Sequence, residues 1–87
     1  MQTKLKIFAI YDNKVQAYGN LILANNAKKA KADLAAALQY DTKLNPIDYD
    51  LFELGDYDAL TAKIEAPTPK HICNLRSLAP KPEKETI

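Results

Sequence analysis

Residues 3–11 read Thr-Lys-Leu-Lys-Ile-Phe-Ala-Ile-Tyr, a run that alternates with a period of two. Leu5, Ile7, Ala9 and Tyr11 fall on one side of an extended chain, and Lys4, Lys6, Phe8 and Ile10 on the other. The second half is therefore apolar on both faces, which suits a strand in the middle of a sheet. Asp12-Asn13-Lys14 then turns the chain, because Asp and Asn tolerate positive φ and bond their own backbone. Residues 15–24 form a second strand, with Val15, Ala17, Leu21 and Leu23 alternating. Gly19, on the same face, marks a bulge or a close backbone approach. The two strands read as a hairpin.

Asn25-Asn26 ends that strand and caps a helix, since an Asn side chain accepts from an otherwise unpaired N–H of the first turn. Ala27, Ala30, Leu34, Ala37 and Leu38 recur at helical spacing, so an amphipathic helix runs from residue 27 to about 40. A loop over 41–45 follows, and Pro46 fixes its exit. Residues 49–54 make a third strand, with Phe52 and Leu54 on one face and Tyr49 and Leu51 on the other. Gly55-Asp56 is expected to turn the chain into a fourth strand over 60–66. Pro67-Thr68-Pro69 is rigid punctuation, and Ile72, Cys73, Leu75 and Leu78 form an apolar patch that docks back on the core. The expected fold is α+β: a small antiparallel sheet of order β-β-α-β-β with one amphipathic helix on one face, in a single domain over 1–78. Residues 79–87, with two Pro and four charged side chains, are expected to be a disordered tail.

At 87 residues the chain buries roughly 60% of its unfolded surface, so a homodimer would add stability that a monomer lacks. The single Cys73 cannot form an internal disulfide. No apolar run approaches the roughly 20 residues of a membrane span, and the N-terminus lacks a signal-peptide pattern, so a cytoplasmic protein with no membrane contact is expected. The net charge is +1, but unevenly spread. Seven lysines stand against three acids over 1–43, one lysine against six acids over 44–66, and four basic groups against two glutamates over 67–87. A uniformly basic nucleic-acid protein would look different.

The acids Asp48, Asp50, Glu53, Asp56 and Asp58 do not follow calcium-loop spacing, and the lone His71 has no partner at ligand spacing, so no metal is expected. No cofactor motif and no catalytic constellation is present, and the chain does not read as an enzyme. His71 and Cys73 would share a strand face, but no third group orients them as a catalytic pair. The best physical hint lies at the start of the helix. Lys28, Lys29 and Lys31 oppose the helix dipole, a small cost that phosphate binding would explain. Asn25 and Asn26 add donors there, and Lys4, Lys6 and Lys14 extend the set. Tyr18 on the second strand offers a stacking surface for an unpaired base, whereas Tyr11 follows a strongly apolar run and reads as packing. The acidic-aromatic segment, with Asp48, Tyr49, Asp56, Tyr57 and Asp58, is the alternative site: a contact for a basic protein partner without DNA.

Lys6-Ile7-Phe8-Ala9-Ile10-Tyr11-Asp12, then Ala17-Tyr18-Gly19, then the run Asn45-Pro46-Ile47-Asp48-Tyr49-Asp50-Leu51-Phe52-Glu53-Leu54-Gly55-Asp56-Tyr57-Asp58 carry a resemblance. They resemble the small non-structural protein of gokushovirus-type microviruses, tailless phages with circular single-stranded DNA. Ile72-Cys73-Asn74-Leu75 fits that family's closing apolar segment. The resemblance implies a DNA-binding accessory protein in the host cytoplasm, linked to the switch to single-stranded genome synthesis, with single-stranded DNA or phage replication proteins as partners. The chain departs from the family at Asn45, where a His often precedes the Pro, and at Ala62, where a turn Gly is often seen. The helix carries Lys and Ala where Arg and Phe are often found.

Overall fold

A computed structural model describes residues 3–40 and 43–79. Apart from Ala79, the expected tail lies outside the described residues. The elements are β1 (Lys4–Asp12), β2 (Ala17–Ala24), α1 (Ala27–Leu38), β3 (Tyr49–Asp58), β4 (Lys63–Glu65) and β5 (Lys70–Asn74). All strand pairs are antiparallel, in the order β2-β1-β3-β4, with β5 also on β3. The α+β fold and the β-β-α-β-β order read from the sequence are present, with β1 in the interior. A fifth strand, β5, forms from the segment expected to be only an apolar patch.

Register fixes the two faces. Phe8 lies opposite Ile22 and Glu53, and Ile10 opposite Leu51. These residues face α1. Phe8, Ala24, Ala30, Leu51 and Leu75 are the buried core, with Ile10, Ile22, Ala27, Leu34, Leu38, Tyr49, Ile72 and Cys73 packed against it. Fully burying Phe8, Leu51 and Leu75 contributes roughly 1.5–3 kcal/mol each. Ala30, in the centre of the helix stripe, is fully buried because its small side chain lets α1 lie close to the sheet. The Asn26 side chain accepts from Lys29 N at 2.8 Å, the expected N-cap.

The hairpin loops at 13–16 and 59–62 share one construction. Each starts from an Asp whose Oδ1 accepts from the N–H two residues on (Asp12 from Lys14, 2.8 Å; Asp58 from Leu60, 2.9 Å). Each ends on a residue with positive φ, Gln16 at 57° and Ala62 at 63°, whose N–H bonds back to the Asp carbonyl at 2.7 Å. Val15 thus belongs to the first loop and β2 begins at Ala17. The second turn sits at 59–62, which shortens the expected strand over 60–66 to Lys63–Glu65.

Gly55-Asp56 does not turn the chain; both lie inside β3, which runs on to Asp58. The glycine serves a close approach instead. β4 and β5 flank the same edge of β3, and between them residues 66–69 leave the ladder, where Pro67 and Pro69 have no N–H to give. A Cβ on Gly55 would overlap the Glu65 carbonyl oxygen and come within 2.8 Å of Ala66 Cα. One-residue register shifts occur at Leu54 in β3, around Gly19–Asn20 in β2 and at Ile72 in β5. The bulge expected at Gly19 is there. The one at Leu54 breaks the expected alternation of Phe52 and Leu54.

Two substitutions should move stability in opposite directions in urea unfolding. Ala62→Gly removes the penalty for a left-handed alanine and should raise stability by up to about 1 kcal/mol. Gly55→Ala drives a methyl into backbone and should lower it by roughly 1–3 kcal/mol or more.

Candidate nucleic-acid interface

The second face of the sheet carries Leu5, Ile7, Ala9 and Tyr11 from β1, Tyr18, Leu21 and Leu23 from β2, Phe52 and Tyr57 from β3, Ile64 from β4 and His71 from β5. Among the described residues no helix covers it. Its centre is flat and closed: Ala9, flanked by Leu21 and Phe52, is fully buried, and Ile7 nearly so. Around that centre Leu21, Leu23, Ile64 and Tyr18 are exposed, at 66%, 51%, 61% and 43%. An apolar sheet face of this kind marks a contact surface.

At one end the face is aromatic. A four-residue loop places Tyr18 opposite Tyr11, with ring centroids 4.8 Å apart. Phe52 completes a triangle, 5.9 Å from Tyr11 and 5.5 Å from Tyr18, and His71 lies 5.3 Å beyond Phe52. All four contacts are edge-to-face, the favoured arrangement for aromatic quadrupoles.

Asp50 fixes the border of this cluster. It lies opposite Tyr11 on β1 and Asn74 on β5. Its Oδ2 accepts from Asn13 Nδ2 at 2.7 Å, and its Oδ1 from Asn74 Nδ2 and His71 Nε2, both at 3.1 Å. Asn13 Nδ2 also donates to the Asp48 carbonyl, and Asn74 Nδ2 to those of Ile47 and Tyr49. One carboxylate thus ties the β1–β2 loop to β5 and orients His71, and the Asn13 and Asn74 amides it accepts from also hold the 3-10 turn Pro46–Asp48. Partial burial would push the Asp50 carboxyl up. The hydrogen bonds from Asn13, His71 and Asn74, with the charge on His71, outweigh burial and hold it below its ordinary value of 3.8.

The residues singled out in the sequence are divided among separate places. Tyr18 joins the aromatic cluster, and Lys14 stands at its end on an exposed loop, 3.6 Å from Asp48. Lys28, Lys29 and Lys31 are on α1, across the sheet from the aromatic cluster, and Lys29 Nζ donates to Asp33 at 2.9 Å. Asn26 is occupied as the N-cap. Asn25, Lys4 and Lys6 come together, but in a cleft of about 480 Å³ that Lys63, Asp56, Asp58 and Glu65 share, so its charge is mixed. Asp56 and Glu53 lie 3.0 and 3.6 Å from Lys6 Nζ. The hydrogen bond and charge of Asp56, with the charge of Glu53, hold Lys6 above its ordinary pKa. The acidic-aromatic set is not one patch: Tyr49 packs on the core beneath α1, Tyr57 sits on the far face opposite Leu5, and Asp48 and Asp56 face lysines of this same chain. His71 and Cys73 lie on opposite faces because of the shift at Ile72, which corrects the expectation that they share one. No group of three His, Cys, Asp or Glu among the described residues is placed to hold a metal ion, and no helix is long and apolar enough to cross a membrane.

Sequence reasoning missed Tyr11, Phe52 and His71 as members of one cluster. The signal for Tyr11 was present, because a four-residue loop after Asp12 puts Tyr11 beside Tyr18. The bulges at Leu54 and Ile72, which align Phe52 and His71, leave no such mark.

A family model described as Phage ORF5 protein matches residues 5–78, from β1 through the 3-10 turn after β5. The chain belongs to that family. No curated protein matches the chain, and no solved structure does. The matched stretch contains every residue of the aromatic cluster and of the Asp50 hydrogen-bond group.

Asp50→Ala removes the charged acceptor that Asn13, His71 and Asn74 share and should cost about 1–3 kcal/mol in urea unfolding. Because the folded-state pKa is depressed, the Asp50 contribution is full above pH 3.8 and fades as pH falls further. Asp50→Asn should therefore show a weaker loss of stability below pH 4 than the parent chain.

Proposed function

We propose that this member of the phage family binds single-stranded DNA, stacking unpaired bases on the sheet face opposite α1. Tyr18, Tyr11 and Phe52 form the stacking surface. The observation that carries this reading is three aromatic rings grouped at one end of an apolar sheet face that no described helix covers. Base–aromatic stacking contributes roughly 1–3 kcal/mol per base and tolerates any sequence, which suits a protein that follows a whole genome. Lys14, on the loop beside the cluster, supplies a phosphate contact there, whereas Lys70 stands opposite Glu53 on the α1 side of the sheet. In the host cytoplasm the protein would act on the single-stranded form of the phage genome and favour its synthesis over double-stranded replication, the role suggested by the resemblance to gokushovirus-type non-structural proteins.

With one or two phosphates neutralised, the logarithmic salt slope should be only about −1. Fluorescence anisotropy with labelled oligothymidine tests the site. Tyr18→Ala and Phe52→Ala should each weaken binding by about 5- to 150-fold, with the fold checked by circular dichroism. Replacing Lys28, Lys29 and Lys31 by Glu should change it little. The reverse pattern would move the site to α1, and no binding at low salt would favour a protein partner instead.

A further inference from the structure

The two edges of the sheet are built differently. The edge formed by β4, the 66–69 excursion and β5 carries Lys63, Glu65, Pro67, Pro69 and Lys70, the charges and prolines that keep an edge from pairing with another chain. Among the described residues β2 forms the other edge, with a strand partner on one side, β1. Its eight residues, Ala-Tyr-Gly-Asn-Leu-Ile-Leu-Ala, contain no charge and no proline. Leu21 and Leu23 stand 66% and 51% exposed on it. A strand of this kind is a template for a further strand, and its lack of charge means that self-pairing opposes no like charges.

We propose that β2 pairs antiparallel with β2 of a second copy, about a two-fold axis through Ile22. The register shift around Gly19–Asn20 confines a regular ladder to residues 20–24, which selects this centre. Leu21 of each copy then lies beside Leu23 of the other, and the four leucines bury one another on the face opposite α1. An isologous pair needs one self-complementary patch, and an uncharged antiparallel edge is one. The need for a partner fits the small core, in which Phe8, Leu51 and Leu75 are the largest fully buried side chains. The two-fold axis stands perpendicular to the sheet, so both aromatic clusters emerge on the same side of one continuous sheet. A strand of DNA able to span both would gain from effective concentration. The strand edge and Leu21 and Leu23 make this contact, without Tyr11, Tyr18 or Phe52, so the dimer stands or falls separately from DNA binding.

Sedimentation and amide hydrogen exchange followed by NMR over a concentration series, without DNA, test the pairing. Dimer formation should slow exchange at the amides within 20–24 that do not bond to β1, by tenfold or more. The substitution pair Leu21→Glu and Leu23→Glu should return the chain to a monomer with those amides exchanging fast. A wild-type monomer at every concentration would overturn the proposal. So would a dimer whose outward β2 amides stay unprotected, because the contact would then lie elsewhere.

Discussion

The rest of the structure depends on the antiparallel pairing of β1 with β3. Nine residue pairs join the two strands, from Lys4 and Asp58 at one end to Asp12 and Tyr49 at the other. This pairing explains the charge pattern of the sequence. The basic front half and the acidic middle look like a dipolar chain, but β1 lies alongside β3. Lys6 meets Asp56 and Glu53, and Lys4 stands opposite Asp58. Opposite charges at such exposed ladder positions are screened by solvent and contribute little to stability. Their larger effect is on register, since a one-residue slip would send every side chain to the wrong face. Much of the acidity that suggested a basic protein partner is thus matched within the chain.

The same register creates two unlike faces. One receives α1 and becomes the core. The other is apolar, has a flat centre and ends in the Tyr11, Tyr18, Phe52 and His71 cluster. Asp50 joins the two halves of this arrangement. It sits on the aromatic face, yet its hydrogen bonds hold Asn13 of the β1–β2 loop and His71 and Asn74 of β5, and the Asn13 and Asn74 amides also bond the Asp48 and Ile47 carbonyls in the turn that leads into β3. The run from Asn45 to Asp58 therefore concentrates three structural tasks in a short stretch: the turn, the carboxylate that secures it, and the glycine over which the 65–66 backbone passes. Within this stretch Phe52 belongs to the aromatic cluster, while the turn, the carboxylate and the glycine serve the fold.

Most of the fold was legible where local chemistry acts alone. The alternation of residues 3–11, the Asp-Asn turn, the Asn cap and the alanine-rich stripe each gave an element close to its observed place. Gly55 misled because a glycine needed for close approach looks the same in sequence as one needed for a turn. Ala62 misled in the opposite sense, since an alanine at positive φ gives no turn signal. β5 was read as a docking patch because its apolar positions fall out of step at Ile72, and a bulge breaks the period on which strand recognition rests. Tyr18 was legible as a candidate because it lies on a paired strand with room to stack on a base. Tyr11 reads as packing because it follows an apolar run, and Phe52 was not found because its place beside them exists only once β3 has paired with β1.

The central claim is that the aromatic sheet face takes up unpaired bases. The most direct measurement is an NMR titration of the ring carbons of Tyr11, Tyr18 and Phe52, together with the backbone amides, with oligothymidine. Large ring-carbon shifts confined to those three residues, with the α1 amides unmoved, are the expected result. Shifts at Lys28, Lys29 and Lys31 with unperturbed rings, or no shifts at all, would contradict it.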